Sequence, residues 1–147
     1  MTDDDLLARL ARVLNSQKLA VLATHAQGGS YCSLVGFSAF EDLRGLVFAT
    51  SRSTRKFRNI LDEPNVAMMI DTRSDMHGDF SKAIAVTALG EARELPAADR
   101  DQALRLHLGR HASLSELLGQ PDCALLSVRV RKYVIVCGIH DVRELIP

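Results

Sequence analysis

The chain has 147 residues, 47% hydrophobic and 24% charged, enough for one globular domain with a core of its own. Its 18 Lys and Arg balance 18 Asp and Glu, so the formal net charge is zero. Overall charge therefore offers nothing to nucleic acid or to an anionic membrane, and any anion site must be a local cluster. The apolar runs fall far short of the roughly 20 residues that cross a bilayer. The acidic start Met1-Thr2-Asp3-Asp4-Asp5 has no basic segment ahead of an apolar one, unlike a secretion signal. Cys32, Cys123 and Cys137 are odd in number and form no CxxC pair, which excludes a disulfide framework and a zinc site. Each lies in an apolar run and reads as a small core residue of a protein in the reducing cytoplasm.

Leu6, Leu7, Leu10, Val13 and Leu14 make an apolar stripe at helical spacing and predict an amphipathic helix over Asp3–Gln17, with acids in its first turn. Leu19–Thr24, the Gly28–Gly29 turn and Tyr31–Phe40 predict a β-hairpin. Leu46–Thr50 follows as a third strand. Over Ser53–Leu61 the period changes, placing Phe57, Ile60 and Leu61 on one helical face, and Pro64 ends that helix. Val66–Asp71 and Lys82–Ala92 predict strands around a polar loop, Thr72–Ser81. Pro96–Arg110 predicts a second amphipathic helix, Leu114–Leu118 a further helical turn or two, and Ala124–Gly138 a long closing strand. The sum is about six strands, mostly hairpin-connected, with peripheral helices, which points to a closed or nearly closed barrel in a single domain, residues 1–147.

One segment carries chemistry. Thr50-Ser51-Arg52-Ser53-Thr54-Arg55-Lys56-Phe57-Arg58 lies where a strand gives way to a helix, and it holds four cations, three Ser or Thr hydroxyls after Thr50, and no acid. A helix start exposes unpaired N–H groups and a partial positive charge, so it attracts anions. Arg55 and Lys56 oppose that dipole and cost stability unless an anion offsets them. Hydroxyls, arginine forks and a lysine charge together suit a phosphate. The alternative is a solvated basic helix start with Ser51 or Ser53 as N-cap.

The run from Leu46 to Ala67, with its Thr50-Ser51 strand end, its Arg55-Lys56 helix start and its Glu63-Pro64-Asn65 turn, resembles the pyridoxamine 5′-phosphate oxidase-like FMN-binding split barrels. The leading helix and Gly hairpin fit the same order, and the resemblance covers most of residues 5–137. It implies a mainly β fold, a six-stranded antiparallel split barrel, and FMN as cofactor. Arg55 and Lys56 would hold the phosphate, with a hydroxyl contact from Thr54. Thr50 and Ser51 would approach the ribityl and ring region. Ser33, Leu34, Val35 and Gly36 would run beside the flavin, Gly36 allowing close backbone approach. The family dimerises with the flavin at the subunit interface, so a homodimer is implied. True pyridoxamine 5′-phosphate oxidases are longer and carry a C-terminal arginine and tryptophan signature. This chain has no Trp, so the resemblance implies a generic member of the superfamily rather than the vitamin B6 oxidase.

His107 and His111, four apart near a helix end, have metal-compatible spacing, but no HExxH pattern accompanies them and no metal is expected. His77 and His25 read as solvated loop or strand-end residues. GxGxxG and GxxxxGK[ST] loops are absent. Three functions remain: a flavoprotein oxidoreductase acting on a small molecule; a non-catalytic module binding FMN, the deazaflavin F420 or haem; and a structural module. The misplaced cations Arg55 and Lys56 argue against the last.

Overall fold

The computed structural model describes residues 1–75 and 79–147, so His77 lies outside the described residues. Helix α1 (Asp3–Ser16) opens on a reciprocal cap: the Thr2 hydroxyl accepts from Asp5 N at 3.1 Å, and the Asp5 carboxylate accepts from Thr2 N at 3.1 Å. Leu6, Leu10, Val13 and Leu14 are buried, while Leu7 remains 42% exposed. That stripe joins the main core with Phe37, Phe48 and Met68.

The described residues form eight strands: β1 (Leu19–Ala26), β2 (Gly29–Gly36), β3 (Ser38–Ala39), β4 (Gly45–Ser51), β5 (Asn65–Asp71), β6 (Ile84–Glu94), β7 (Cys123–Cys137) and β8 (Asp141–Leu145). Helices α2 (Arg55–Asp62), α3 (Ala97–Arg110) and α4 (Ser115–Leu118) fall between them. All pairings are antiparallel, in the order β2-β1-β5-β6-β7-β4-β3, with β8 on β7. The two edge strands, β2 and β3, are consecutive in the chain, so the sheet curls almost closed around its core.

Two strands more than the expected six appear, each for a local reason. The Tyr31–Phe40 run breaks at Phe37, whose N–H bonds Lys18 O at 3.1 Å, and the chain leaves β1 to pair with β4. That switch is what splits the barrel. Strand β8 is exposed along most of its length and shows no apolar alternation; its register comes from backbone pairing with β7. A bulge bends β7 against β6: the register shifts between Leu89 and Gly90, and Arg131 is passed over. A Cβ at Gly90 would sit 2.1 Å from Arg129 O, so only glycine fits there.

The outer face of the sheet has two halves. Over β4 and the start of β7, helices α3 and α4 cover Val47, Cys123 and Leu125, with Ala103 and Leu118 packed between. Over β1, β5, β6 and the end of β7, nothing among the described residues covers it. Val21, Met69, Thr87 and Val134 lie side by side there by register, all half-buried. Cys32 opens onto this bare half beside Ala23 and is exposed, and Cys137 is half-buried; only Cys123 is a core residue. The expectation of three buried thiols fails because β2 is an edge strand, whose outward side chains face solvent. No helix of the described residues is long and apolar enough to cross a membrane.

Candidate functional site

The β4–α2 turn is braced from both sides. The N-cap of α2 is Thr54, rather than Ser51 or Ser53: its hydroxyl accepts from Phe57 N at 3.3 Å and donates to Ser51 O at 2.9 Å. Thr50 Oγ1 lies 2.8 Å from Thr54 Oγ1. The Thr54 hydroxyl is thus occupied by the turn itself. Ser51 Oγ donates to Asp122 and lies 2.9 Å from Ser53 Oγ. Arg52, counted among the cations of this segment, is tied away: its guanidinium meets Glu94 at 2.5 Å and Pro121 O at 3.0 Å. The Glu94 carboxylate raises the Arg52 pKa further above its usual range.

Arg55 and Lys56 differ from Arg52. Neither forms an ion pair among the described residues. They occupy the first two positions of α2, where backbone N–H groups have no partner within the helix. The Arg55 guanidinium lies over the Tyr31 ring, 4.5 Å from its centroid. Arg58 Nη1 donates to Ser53 O at 3.3 Å. Deeper in α2, the buried Asn59 donates to the Thr24 hydroxyl at 3.0 Å and fixes the helix to β1.

Strand β2 divides its expected residues between two faces. Tyr31, Ser33 and Val35 share the face that meets α2 and the core; Val35 is buried. Ser33 Oγ is buried with no hydrogen-bond partner among the described residues. Leu34 points the other way, 65% exposed, into a hollow of about 440 Å³ that it lines with Leu19, Val21, Met69, Lys18 and the paired Asp71 and Arg73. That hollow does not include the basic turn. The space at Gly36 is filled from within the chain: a Cβ there would lie 3.2 Å from His111 Cε1. The glycine therefore seats His111, a role its position in the sequence did not disclose.

His107 and His111 are both buried, with ring centroids 4.6 Å apart. His107 Nδ1 lies 2.8 Å from Ser38 Oγ, and His111 Nε2 lies 2.7 Å from Phe37 O. Burial, then the neighbouring His111 and Arg110, push the His107 pKa down to about 4. The pair docks α3 onto the β2–β3 switch. Arg110 continues the seam, donating to Asn15 O at 3.1 Å and to Gln17 O at the end of α1, which lacks a basic residue of its own in its last turn. No group of three or more His, Cys, Asp or Glu among the described residues is placed to hold a metal ion.

A curled antiparallel sheet whose edge strands follow one another, with a helix leaving β4 through a basic turn, defines a split-barrel protein. Residues 6–137 match the family described as pyridoxamine 5′-phosphate oxidase, and the chain belongs to that family. Among solved structures it is similar to a haem-binding protein from Mycobacterium smegmatis, with 20% identity and a TM-score of 0.82 over 92% of this chain. It spans only 56% of that protein. General stress protein 26 from Bacillus anthracis is 17% identical, with a TM-score of 0.74 over 97% of this chain and 98% of its own. An FAD-binding protein from Mesorhizobium loti is 14% identical, with a TM-score of 0.69 over 87% of this chain and 91% of its own. These likenesses establish the fold. No curated protein matches the sequence significantly.

Proposed function

We propose that this chain is an FMN-binding flavoprotein that works as a homodimer, and that it is an oxidoreductase acting on a small molecule. One observation carries the reading: Arg55 and Lys56 have no carboxylate among the described residues to neutralise them, at a helix start with open N–H groups. Such a cradle fits a phosphate monoester, which accepts hydrogen bonds from the backbone and charge-assisted ones from both side chains. Ser33 Oγ adds a second point of fit, a buried hydroxyl still lacking a partner on the strand assigned to the flavin.

In this reading Arg55 and Lys56 hold the phosphate. Thr50 and Ser51 face the ribityl chain chiefly through backbone groups, since the Ser51 hydroxyl is engaged by Asp122. Thr54 contributes by capping α2 and so aiming its N–H groups, a change from the direct contact expected of it. The edge strand β2 offers the backbone of Ser33, Leu34, Val35 and Gly36 to the ring. The cofactor supplies the electron chemistry, and the chain supplies position and charge. The homodimer rests on the bare half of the sheet, where Val21, Met69, Thr87 and Val134 have no cover among the described residues; closing it with a second copy would bring that copy's residues to the flavin. The cytoplasm is the proposed compartment, on three cysteines that are odd in number and form no CxxC pair.

The test is an absorption spectrum of the purified protein, as isolated and after addition of FMN and desalting. Retained flavin bands are the expected result. Arg55→Ala together with Lys56→Ala is expected to weaken FMN binding by at least ~2 kcal/mol, through lost charge-assisted bonds. A haem Soret band in place of flavin, or no retained chromophore, would contradict the proposal.

A further inference from the structure

A second concentration of positive charge lies away from the β4–α2 turn. Helix α1 presents Arg9 and Arg12, three apart and so on one side. They line a hollow of about 550 Å³ with Lys82, Thr72, Ser81 and Cys137, over a floor of Val13 and Ile84. Three cations and no acid line it. Lys82 has Asp79 at 3.8 Å, but neither arginine forms an ion pair among the described residues. Arg9 Nη1 instead donates to Cys137 Sγ at 3.4 Å, a weak acceptor for a guanidinium. In a chain of zero net charge, a cluster like this is a local arrangement rather than a general basicity.

The wall of the hollow is built with some strictness. Gly138 takes φ +68, and a Cβ there would meet Ser81 O at 2.8 Å. Its N–H bonds Ala83 O at 2.9 Å. A glycine at this turn is what lets the Ser81–Lys82 segment close against Cys137. Arg12 is exposed and Arg9 half-buried, so both guanidinium groups can reach a guest while the apolar floor takes its carbon skeleton.

We propose that this hollow binds a small organic oxyanion, a molecule carrying a phosphate or a carboxylate on a short apolar body. Arg9 and Arg12 grip the oxyanion by paired N–H groups, and Lys82 adds charge. Arg9 then exchanges its thiol contact for the guest, which lies across Cys137. The site is separate from the flavin cradle, and neither depends on the other.

Cys137 makes the site readable. The rate of alkylation by iodoacetamide at Cys137 and at the exposed Cys32 is followed by peptide mass spectrometry, with inorganic pyrophosphate and citrate as probes. Protection should be saturable at Cys137 alone, about tenfold when the probe is at ten times its Kd. It should vanish in the Arg9→Gln/Arg12→Gln variant and persist in the Arg55→Ala/Lys56→Ala variant. Stronger protection by one probe assigns the site to phosphates or to carboxylates. Equal slowing at Cys32, no protection at any soluble concentration, a Cys137 that does not react, or protection surviving in the Arg9→Gln/Arg12→Gln variant would overturn the proposal. Loss of protection in the Arg55→Ala/Lys56→Ala variant alone would reassign the effect to the flavin cradle.

Discussion

The covered and bare halves of the outer sheet face share strand β7, and they differ in what the chain lays over them. Over β4 and the first part of β7, α3 and α4 bring their own apolar residues, and Val47, Cys123 and Leu125 fall to 2% exposure or less. Past the Gly90 bulge, β7 continues with Val134 and Val136 on the same side as Thr87, Met69 and Val21, and these remain half-buried with no cover among the described residues. Burial is continuous through the first residues of β4 and of β7, and it alternates along β5 and β6. What the difference teaches is that the covered half is finished by helices of the same chain, whereas the bare half has no such cover among the described residues.

Substitution should separate the two halves by the kind of damage done. Leu125→Ala in the covered half removes a fully packed side chain and should cost about 3 kcal/mol, read from urea denaturation. Leu89→Ala, in the bare half, should cost well under half as much in the same assay.

The His107–Ser38 docking of α3 should show next, in the pH dependence of the covered half. An unfolded histidine near 6.5 binds a proton that folded His107, held down to about 4, does not. Its contribution is therefore fully present above pH 6.5 and is lost as pH falls toward 4, up to about 3 kcal/mol. Urea midpoints between these values should fall more steeply in the wild type than in His107→Gln. Parallel curves would contradict a neutral buried His107.

In the bare half the damage should fall on assembly. If two copies meet on that face, as proposed, Thr87→Lys places a charge at its centre, and sedimentation should shift from dimer to monomer while the circular dichroism spectrum holds. If the flavin sits where two copies meet, FMN affinity should fall with it. An unchanged dimer would move the subunit contact elsewhere. The smallest effect belongs to Arg52→Ala: with its guanidinium committed to Glu94 and Pro121, FMN affinity should not change measurably.

The helix stripes, the Gly hairpin and the basic turn were readable because each is encoded by neighbours in sequence: period, turn residues and local charge. Less was readable where distant residues decide. Arg52 looked like a member of the phosphate cluster because Glu94 lies 42 positions away. Gly36 was read as a close approach to the flavin, and the residue that packs against it, His111, lies 75 positions away. His107 takes a core position in α3 while Leu104, Leu106 and Leu108 beside it stay half-buried. Strand β8 carries no apolar pattern at all, since β7 supplies its pairing. Thr54 was read as a hydroxyl contact to the phosphate, while its role as N-cap of α2 depends on the backbone of Phe57 and Ser51, which the residue types alone do not reveal.

The most direct measurement of the central claim is a paired fluorescence titration with FMN and with riboflavin, which lacks the phosphate, on the wild type and on the Arg55→Ala/Lys56→Ala variant. The account predicts that the wild type prefers FMN strongly and that the variant loses this preference while its riboflavin affinity stays the same. Equal wild-type affinity for the two flavins, or a preference that survives in the variant, would contradict a phosphate held at the β4–α2 turn.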